Sequence, residues 1–553
     1  MKTLSFYGLM VLSSCLTSCA KFTVREDPDV GDGGSHLADF NAQLEIPSLT
    51  TVVQGRTTKV PIKIHRDPNN TGSGIMSVTG LPNGIQADSV TIPESADPSQ
   101  VQEIELSLVA DMPATGTVYP TPILVVGHTS ESTLTLRAGL PMVVRGKPGT
   151  LDTAFADGGV YEDPSEKYYS INAVTPHLDG VVIGATLYPP ESSTIIRLSA
   201  DGSLDTTFAE PQFPVQVQDI APDDAGHILT VGTAPDNSAS IVNRFTKAGN
   251  PDISFTPTSS VTLPTPDGWS NYYPSVITVA PNNGYIYVGA GAISINGIGG
   301  YSYAFAQISP TGDIATNTAV SIGSGCYKSW GPSSYSNYLT NLFVLPSGAL
   351  TFAGWDGSGI GVGRFLPASP SSSLCQFDTR YGGVGGTFGE SYFMGTGYLD
   401  DSVLEDDGSF VLLGHNLPSH GVSERPYSLL RVDPAGMQVT QSDTSLMFSS
   451  QRNWAGYIAG GVMRMPDGHY LVTGESSLAT ASSMAIAFYN SDLTLDTSMG
   501  TNGVTLIPTT IANTFGVGLR AIPSSDGQYT LVVGVAHRTD ANIEHLVVAR
   551  LQN

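Results

Sequence analysis

The sequence predicts an all-β chain, a seven-bladed β-propeller preceded by a smaller β-sandwich. Three observations carry that expectation. Glycine (61) and proline (37) are plentiful among the 553 residues, as a chain with many tight turns requires. Short apolar runs alternate with turn residues, and none recurs at helical spacing. A short strand that opens and closes on glycine returns seven times between residues 147 and 553.

Composition sets further bounds. Hydrophobic residues make up 40% of the chain and charged residues only 13%, so there is ample material for a core. Lys and Arg number 24 against 49 Asp and Glu, a net charge of −25. A surface this negative repels phosphate backbones, which argues against nucleic acid as a partner. Cations, basic protein patches and neutral sugars remain compatible with it.

Residues 1–19 carry a targeting signal. Lys2 supplies a positive start, and the apolar stretch from Leu4 to Leu16 is too short to span a bilayer. Leu16-Thr17-Ser18-Cys19 resembles the lipobox of bacterial lipoproteins. That resemblance implies cleavage before the cysteine, lipidation of Cys19 and a membrane partner held through the lipid anchor. Leu12-Ser13-Ser14-Cys15 is an overlapping match, and an ordinary secretory signal is the other reading. Cys19 is preferred because the polar linker starts directly after it. Ala20 stands where some bacteria use Asp for inner-membrane retention, so by analogy the expected location is the outer membrane or cell surface of the bacterial envelope.

Residues 20–38 form a flexible linker. The carboxylates of Asp27, Asp29 and Asp32 are spaced like ligands, but the terminal bidentate Glu of a calcium loop is missing. Residues 39–146 alternate at period two in Thr58–Ile64, Glu103–Leu108 and Thr133–Leu136, with turn signals at Asp67–Asn70 and Gly80–Gly84. About a hundred residues of short, evenly spaced strands suit an Ig-like sandwich. Gly80-Leu81-Pro82-Asn83-Gly84-Ile85 resembles the G-L-P-x-G-V element of bacterial Ig-like repeats, which implies the same fold without the antibody-type disulfide.

Residues 147–553 are a repeat array. The closing glycines stand at 184, 232, 289, 354, 414, 474 and 534, and a period in this range marks a solenoid, propeller or array. Each unit reads as four strands, which selects the propeller. The last unit stops after its third strand, while Gly149–Phe155 matches the fourth-strand lead-in Gly202–Phe208. The N-terminal segment is therefore expected to complete the final blade and remove two open edges. A third strand ending in Arg-Leu or Arg-Phe, a D-G or A-G turn, Leu-Asp-x-x-Phe and a further glycine-bounded strand together resemble the delta-60 repeat family. The resemblance covers about 147–553 and implies a secreted or surface protein of bacteria. Unit five lacks the Leu-Asp-x-x-Phe element, and units three and six carry Gln307 and Ala487 in place of the Arg.

Three sets of residues are candidates for chemistry. Arg197, Arg244, Arg364, Arg431 and Arg550 recur with Asp152, Asp205, Asp252, Asp378 and Asp496, and partly buried charges at such spacing read as a structural staple. Trp269, Tyr273, Trp330, Tyr338, Tyr398, Trp454 and Tyr457 stand in the segments before the first strands, beside the central channel of a propeller. Such rings either stack on sugars and anchor peptides or pack between blades; both readings are open. Cys326 and Cys375 are either a disulfide or two free thiols. No H-E-x-x-H, G-x-S-x-G or Walker A motif is present, and ten His residues show no metal-ligand spacing. The expectation is a non-catalytic surface lipoprotein, with no cofactor or metal, whose propeller face binds a glycan or protein. The alternatives are a propeller hydrolase or lyase acting on polysaccharide through paired carboxylates, drawn from Asp267, Glu390, Asp400 and Asp401, or a purely structural envelope component.

Overall fold

A computed structural model describes residues 42–66, 72–111, 124–129, 136–189, 192–264, 269–294, 301–314, 338–355, 360–366, 378–382, 390–393, 397–416, 427–443, 460–476, 483–511, 514–524, 527–538, 541 and 543–553. Cys19, Cys326, Cys375, Trp330, Trp454 and Tyr457 lie outside the described residues. All regular structure among the described residues is β, and the chain divides into two compact units, Met1–Pro148 and Gly149–Asn553.

The first unit holds two four-stranded antiparallel sheets. One orders Ala42–Glu45, Thr57–Arg66, Gln102–Ala110 and Ile85–Ala87; the other orders Val90–Ile92, Gly74–Thr79, Leu124–Thr129 and Leu136–Gly139. Alternation along Thr57–Arg66 sends Val60, Ile62 and Ile64 into the core, beside Leu106, Leu108 and Met76. Lys59 and Lys63 point to the other face and pair with Glu105 and Glu45 on the neighbouring strands.

The second unit is a β-propeller of antiparallel meanders. Its sheets begin with the strands Tyr168–His177, Gln216–Pro222, Trp269–Val279, Tyr338–Val344, Gly397–Leu404, Gly461–Arg464 and Thr514–Pro523. Each of these first strands contacts the next, and the last contacts the first, so the first strands ring a central channel. Buried side chains from adjacent sheets interdigitate between them, as where Val242 and Ile286 share one cluster. The strand Val160–Glu162 pairs antiparallel with Ile543–Gln552, and Leu151 bridges Leu551. The ring is thus closed by the start of the unit meeting its end. The closing strand falls later than Gly149–Phe155 because Leu151-Asp152-x-x-Phe155 folds as a turn, with the Phe155 amide donating to the Asp152 carbonyl at 2.9 Å.

The same turn explains the repeated motif. The Asp Oδ1 accepts the amide two residues on: Ala154, Thr207, Ser254, Arg380 and Ser498 donate at 2.9–3.2 Å. Its Oδ2 faces the Arg that ends a third strand, as in Arg244 to Asp252 at 2.7 Å and Arg550 to Asp152 at 2.8 Å. The guanidinium then donates to a turn carbonyl of the next sheet: Arg244 to Pro310, Arg364 to Pro434 and Arg550 to Asp201. It also stacks on the aromatic that ends the motif, 4.6 Å from the Phe255 centroid and 4.2 Å from Tyr381. The recurring charges staple neighbouring sheets together.

Candidate functional site

All of these first strands except Gly461–Arg464 share a defect that shapes the channel. Register shifts insert one extra residue at Asn172, Gln218, Ser275, Thr340, Asp400 and Leu519. A bulge bends its strand and re-aims the side chains beside it. Here the bulged residues and those just after them line one cavity of about 380 Å³. Asp219, Asn341, Asp401 and Arg520 are brought together there from strands far apart in the chain.

These polar groups reach around the ring. Asp219 Oδ2 accepts the Ile277 amide of the next sheet at 2.8 Å, and Asp401 Oδ2 accepts that of Val462 at 3.0 Å. Asn341 Nδ2 donates to Asp401 Oδ1 at 3.0 Å, Asn172 Nδ2 to the Val217 carbonyl at 3.3 Å, and Arg520 Nη1 to the Val174 carbonyl at 3.3 Å. First-strand edges leave backbone groups unpaired, and these side chains satisfy some of them.

The electrostatics of the cavity are acidic, with Asp219, Asp400 and Asp401 against Arg520. Burial pushes the Asp219 carboxyl up to about 6, although the Ile277 and Ile220 amides and Arg520 pull the other way; Asp401 adds to the rise. A folded-state value above the ordinary 3.8 means the folded chain holds an extra proton between pH ~4 and ~6. Stability from this group is present below that window and lost as pH rises through it, by roughly 3 kcal/mol. Asp219→Asn is therefore expected to remove that loss. Denaturant unfolding of both proteins at pH 4 and pH 7 checks it; an identical pH dependence in the two would sink the assignment.

The expected aromatic site is partly placed. Tyr273, Tyr338 and Tyr398 each stand two residues before a bulged residue, Ser275, Thr340 and Asp400. They sit on the first strands themselves, not in loops ahead of them, because the first hairpins extend further than the apolar pattern suggests. The Tyr273 side chain is half-buried, and Trp269 opens its strand. Asp400 and Asp401 lie within a strand at a bulge. Glu390 opens the strand Glu390–Phe393, at the sheet edge opposite the first strand; Asp267 lies outside the described residues. Sequence reasoning missed Asn172, Asp219, Asn341 and Arg520. Their signal is a polar residue at an inward position of an otherwise apolar strand, as in Val217-Gln218-Asp219-Ile220.

Comparison with known proteins agrees with the fold. The family described as a domain of unknown function (DUF5122) beta-propeller matches residues 179–208 and 466–498, which span second and third strands, the turn and the start of the Leu-Asp motif. No curated protein matches the chain in sequence. Among solved structures, a puromycin hydrolase is similar at 15% identity and a TM-score of 0.39, over 69% of this chain and 53% of that one. The chain thus spans about half the length of that protein. The polysaccharide lyase Uly1 is similar at 10% identity and a TM-score of 0.39, over 69% and 89%. An α-L-arabinanase of Penicillium chrysogenum, complexed with arabinobiose, is similar at 11% identity and a TM-score of 0.37, over 71% and 96%. These likenesses concern the fold alone. The expectation that the chain is not an enzyme is corrected: it rested on missing motifs that belong to other folds, so their absence excludes no activity here. The second unit, Gly149–Asn553, is a β-propeller.

Proposed function

We propose that the chain is a polysaccharide-acting propeller enzyme, a hydrolase or lyase, with its site at the mouth of the channel. The reading extends to seven blades of delta-60 type, an Ig-like spacer and a lipid anchor at Cys19 that holds the protein at the bacterial envelope. The observation that carries it is the meeting of three carboxylates on one cavity, with Asp219 pushed up to about 6. A carboxyl raised to about 6 beside two further carboxylates is the pairing that acid–base cleavage of a glycosidic bond uses. Tyr273 at that end of the strands offers an amphipathic face to a sugar ring. The acidic wall favours neutral over anionic polymers.

Incubation with a panel of neutral polysaccharides, read for new reducing ends and for unsaturated products, tests the proposal. Turnover of at least one polymer is expected, falling at least 100-fold in Asp400→Asn while the melting temperature holds. Failure to cleave any polymer, or full activity in that variant, would reject it. A structural role is the second reading. It is favoured by Asp219 and Asp401 committing oxygens to the Ile277 and Val462 amides; it predicts that their Asn variants lose stability and nothing else.

A further inference from the structure

The Arg–Asp staple is broken at one place in a way that leaves a guanidinium behind. In the intact units Asp152, Asp205 and Asp252 stand three residues after Gly149, Gly202 and Gly249. Arg550, Arg197 and Arg244 direct Nε at them from 2.8, 3.6 and 2.7 Å. Three residues after Gly436 stands Val439, and a register shift beside it sets Thr440 opposite Arg431. Neither carries a carboxylate.

Arg431 engages only Nη2, which donates to Tyr470 Oη at 2.6 Å and to Glu405 Oε1 at 3.2 Å. Its Nε is buried and has no acceptor among the described residues, and the Arg464 Nε is in the same condition. Glu405 is the one buried carboxylate between the two guanidiniums, 3.9 Å from Arg464 Nε, and it already accepts from Ser409 and Tyr470. Asp406 and Asp407 are exposed to solvent and compensate little. The motif aromatic is missing here as well. Leu493, buried and held at φ 67° where the other turns use glycine, packs with Tyr470 and Tyr489. A cavity of about 340 Å³ remains here, with Glu405, Asp406 and Asp407 on its wall as well as Arg431, Arg464 and Tyr470.

We propose that this cleft, between the sheets that begin at Gly397 and Gly461, binds a small carboxylate in the place the motif Asp holds elsewhere. One ligand oxygen accepts from the Arg431 Nε, as the motif Asp oxygen does from Arg244 and Arg550 elsewhere, with Arg464, itself paired to Asp406 at 2.8 Å, adding charge. The volume accommodates anything from acetate to a single sugar acid. This site is separate from the channel and does not depend on the polysaccharide reading.

Calorimetric titration of the full chain with acetate, glucuronate and glucose at low salt tests it. Saturable binding of the two acids and none of glucose is expected. Arg431→Gln and Thr440→Asp should each weaken that binding at least tenfold. Thr440→Asp should also raise the melting temperature, because the chain then supplies its own staple carboxylate. A tighter grip on glucuronate would identify a sugar acid as the ligand, and equal affinities a simple carboxylate. No saturable binding of either acid, equal binding of glucose, or an unchanged affinity in Thr440→Asp would overturn the proposal. Should Arg431→Gln fail to fold, Thr440→Asp, an exposed strand position, decides alone.

Discussion

Replacing Arg550 with alanine is expected to cost about 3–5 kcal/mol of folding stability and to loosen the ring at its seam. Arg550 lies on the last strand, and its partner Asp152 lies 398 residues earlier. Two nitrogens grip one carboxylate oxygen, at 2.8 Å from Nε and 2.6 Å from Nη2. Nη1 donates to the Asp201 carbonyl at 3.0 Å, and the guanidinium sits between the Phe155 and Tyr529 rings. The two side chains are only 11% and 7% exposed, so truncation strands a buried carboxylate. Arg550→Lys keeps the charge but loses the fork, and should recover part of the loss. Lys59→Ala in the first unit is the contrast: its pair with Glu105 is solvent-exposed, and its loss should leave the unfolding midpoint essentially unchanged. Urea unfolding of the three variants measures this. If Arg550→Ala lies within 1 kcal/mol of the parent, the staple does not hold the ring.

Gly249→Ala is expected to destabilise by about 2–5 kcal/mol, adding left-handed strain to overpacking. Gly249 has φ +83°, and a Cβ there would stand 2.2 Å from the Ala209 carbonyl oxygen and 2.8 Å from the Phe208 ring. Both neighbours belong to the preceding sheet's Leu-Asp-x-x-Phe segment and its continuation, so the turn glycine is what lets the two sheets close. Gly468 isolates the conformational part: its φ is +88°, with nothing within 4 Å of a Cβ. Gly468→Ala should cost only about 1–2 kcal/mol. Equal losses at the two sites, by thermal or urea unfolding, would show that sheet contact at Gly249 is not tight.

The unit's β character, its turn positions and the meeting of its two ends were legible in the sequence. Each rests on local rules: a short continuous apolar run marks the strand that buries Val181, Val182 and Ile183, and glycines such as Gly202 and Gly249 adopt the positive φ their turns need. The Leu-Asp-x-x-Phe segment reads in the sequence as the lead-in of a fourth strand; it folds as a turn because Asp Oδ1 accepts the amide two residues on. That the Arg crosses to the next sheet's carbonyl is tertiary, since no local pattern records which turn lies beside Arg244 or Arg550. Leu493 breaks the glycine rule for the same kind of reason, filling space that a missing aromatic leaves between sheets.

The channel was hidden for a further reason. A bulge is a register event between two strands, and nothing in Gln218-Asp219 or Asp400-Asp401 alone tells which residue is the extra one. The sequence by itself determined the strands, the turns and the inventory of charges. Only the tertiary structure decided that Asp219, Asn341, Asp401 and Arg520 face one cavity, because closing a ring of edge strands sets side chains from distant units side by side.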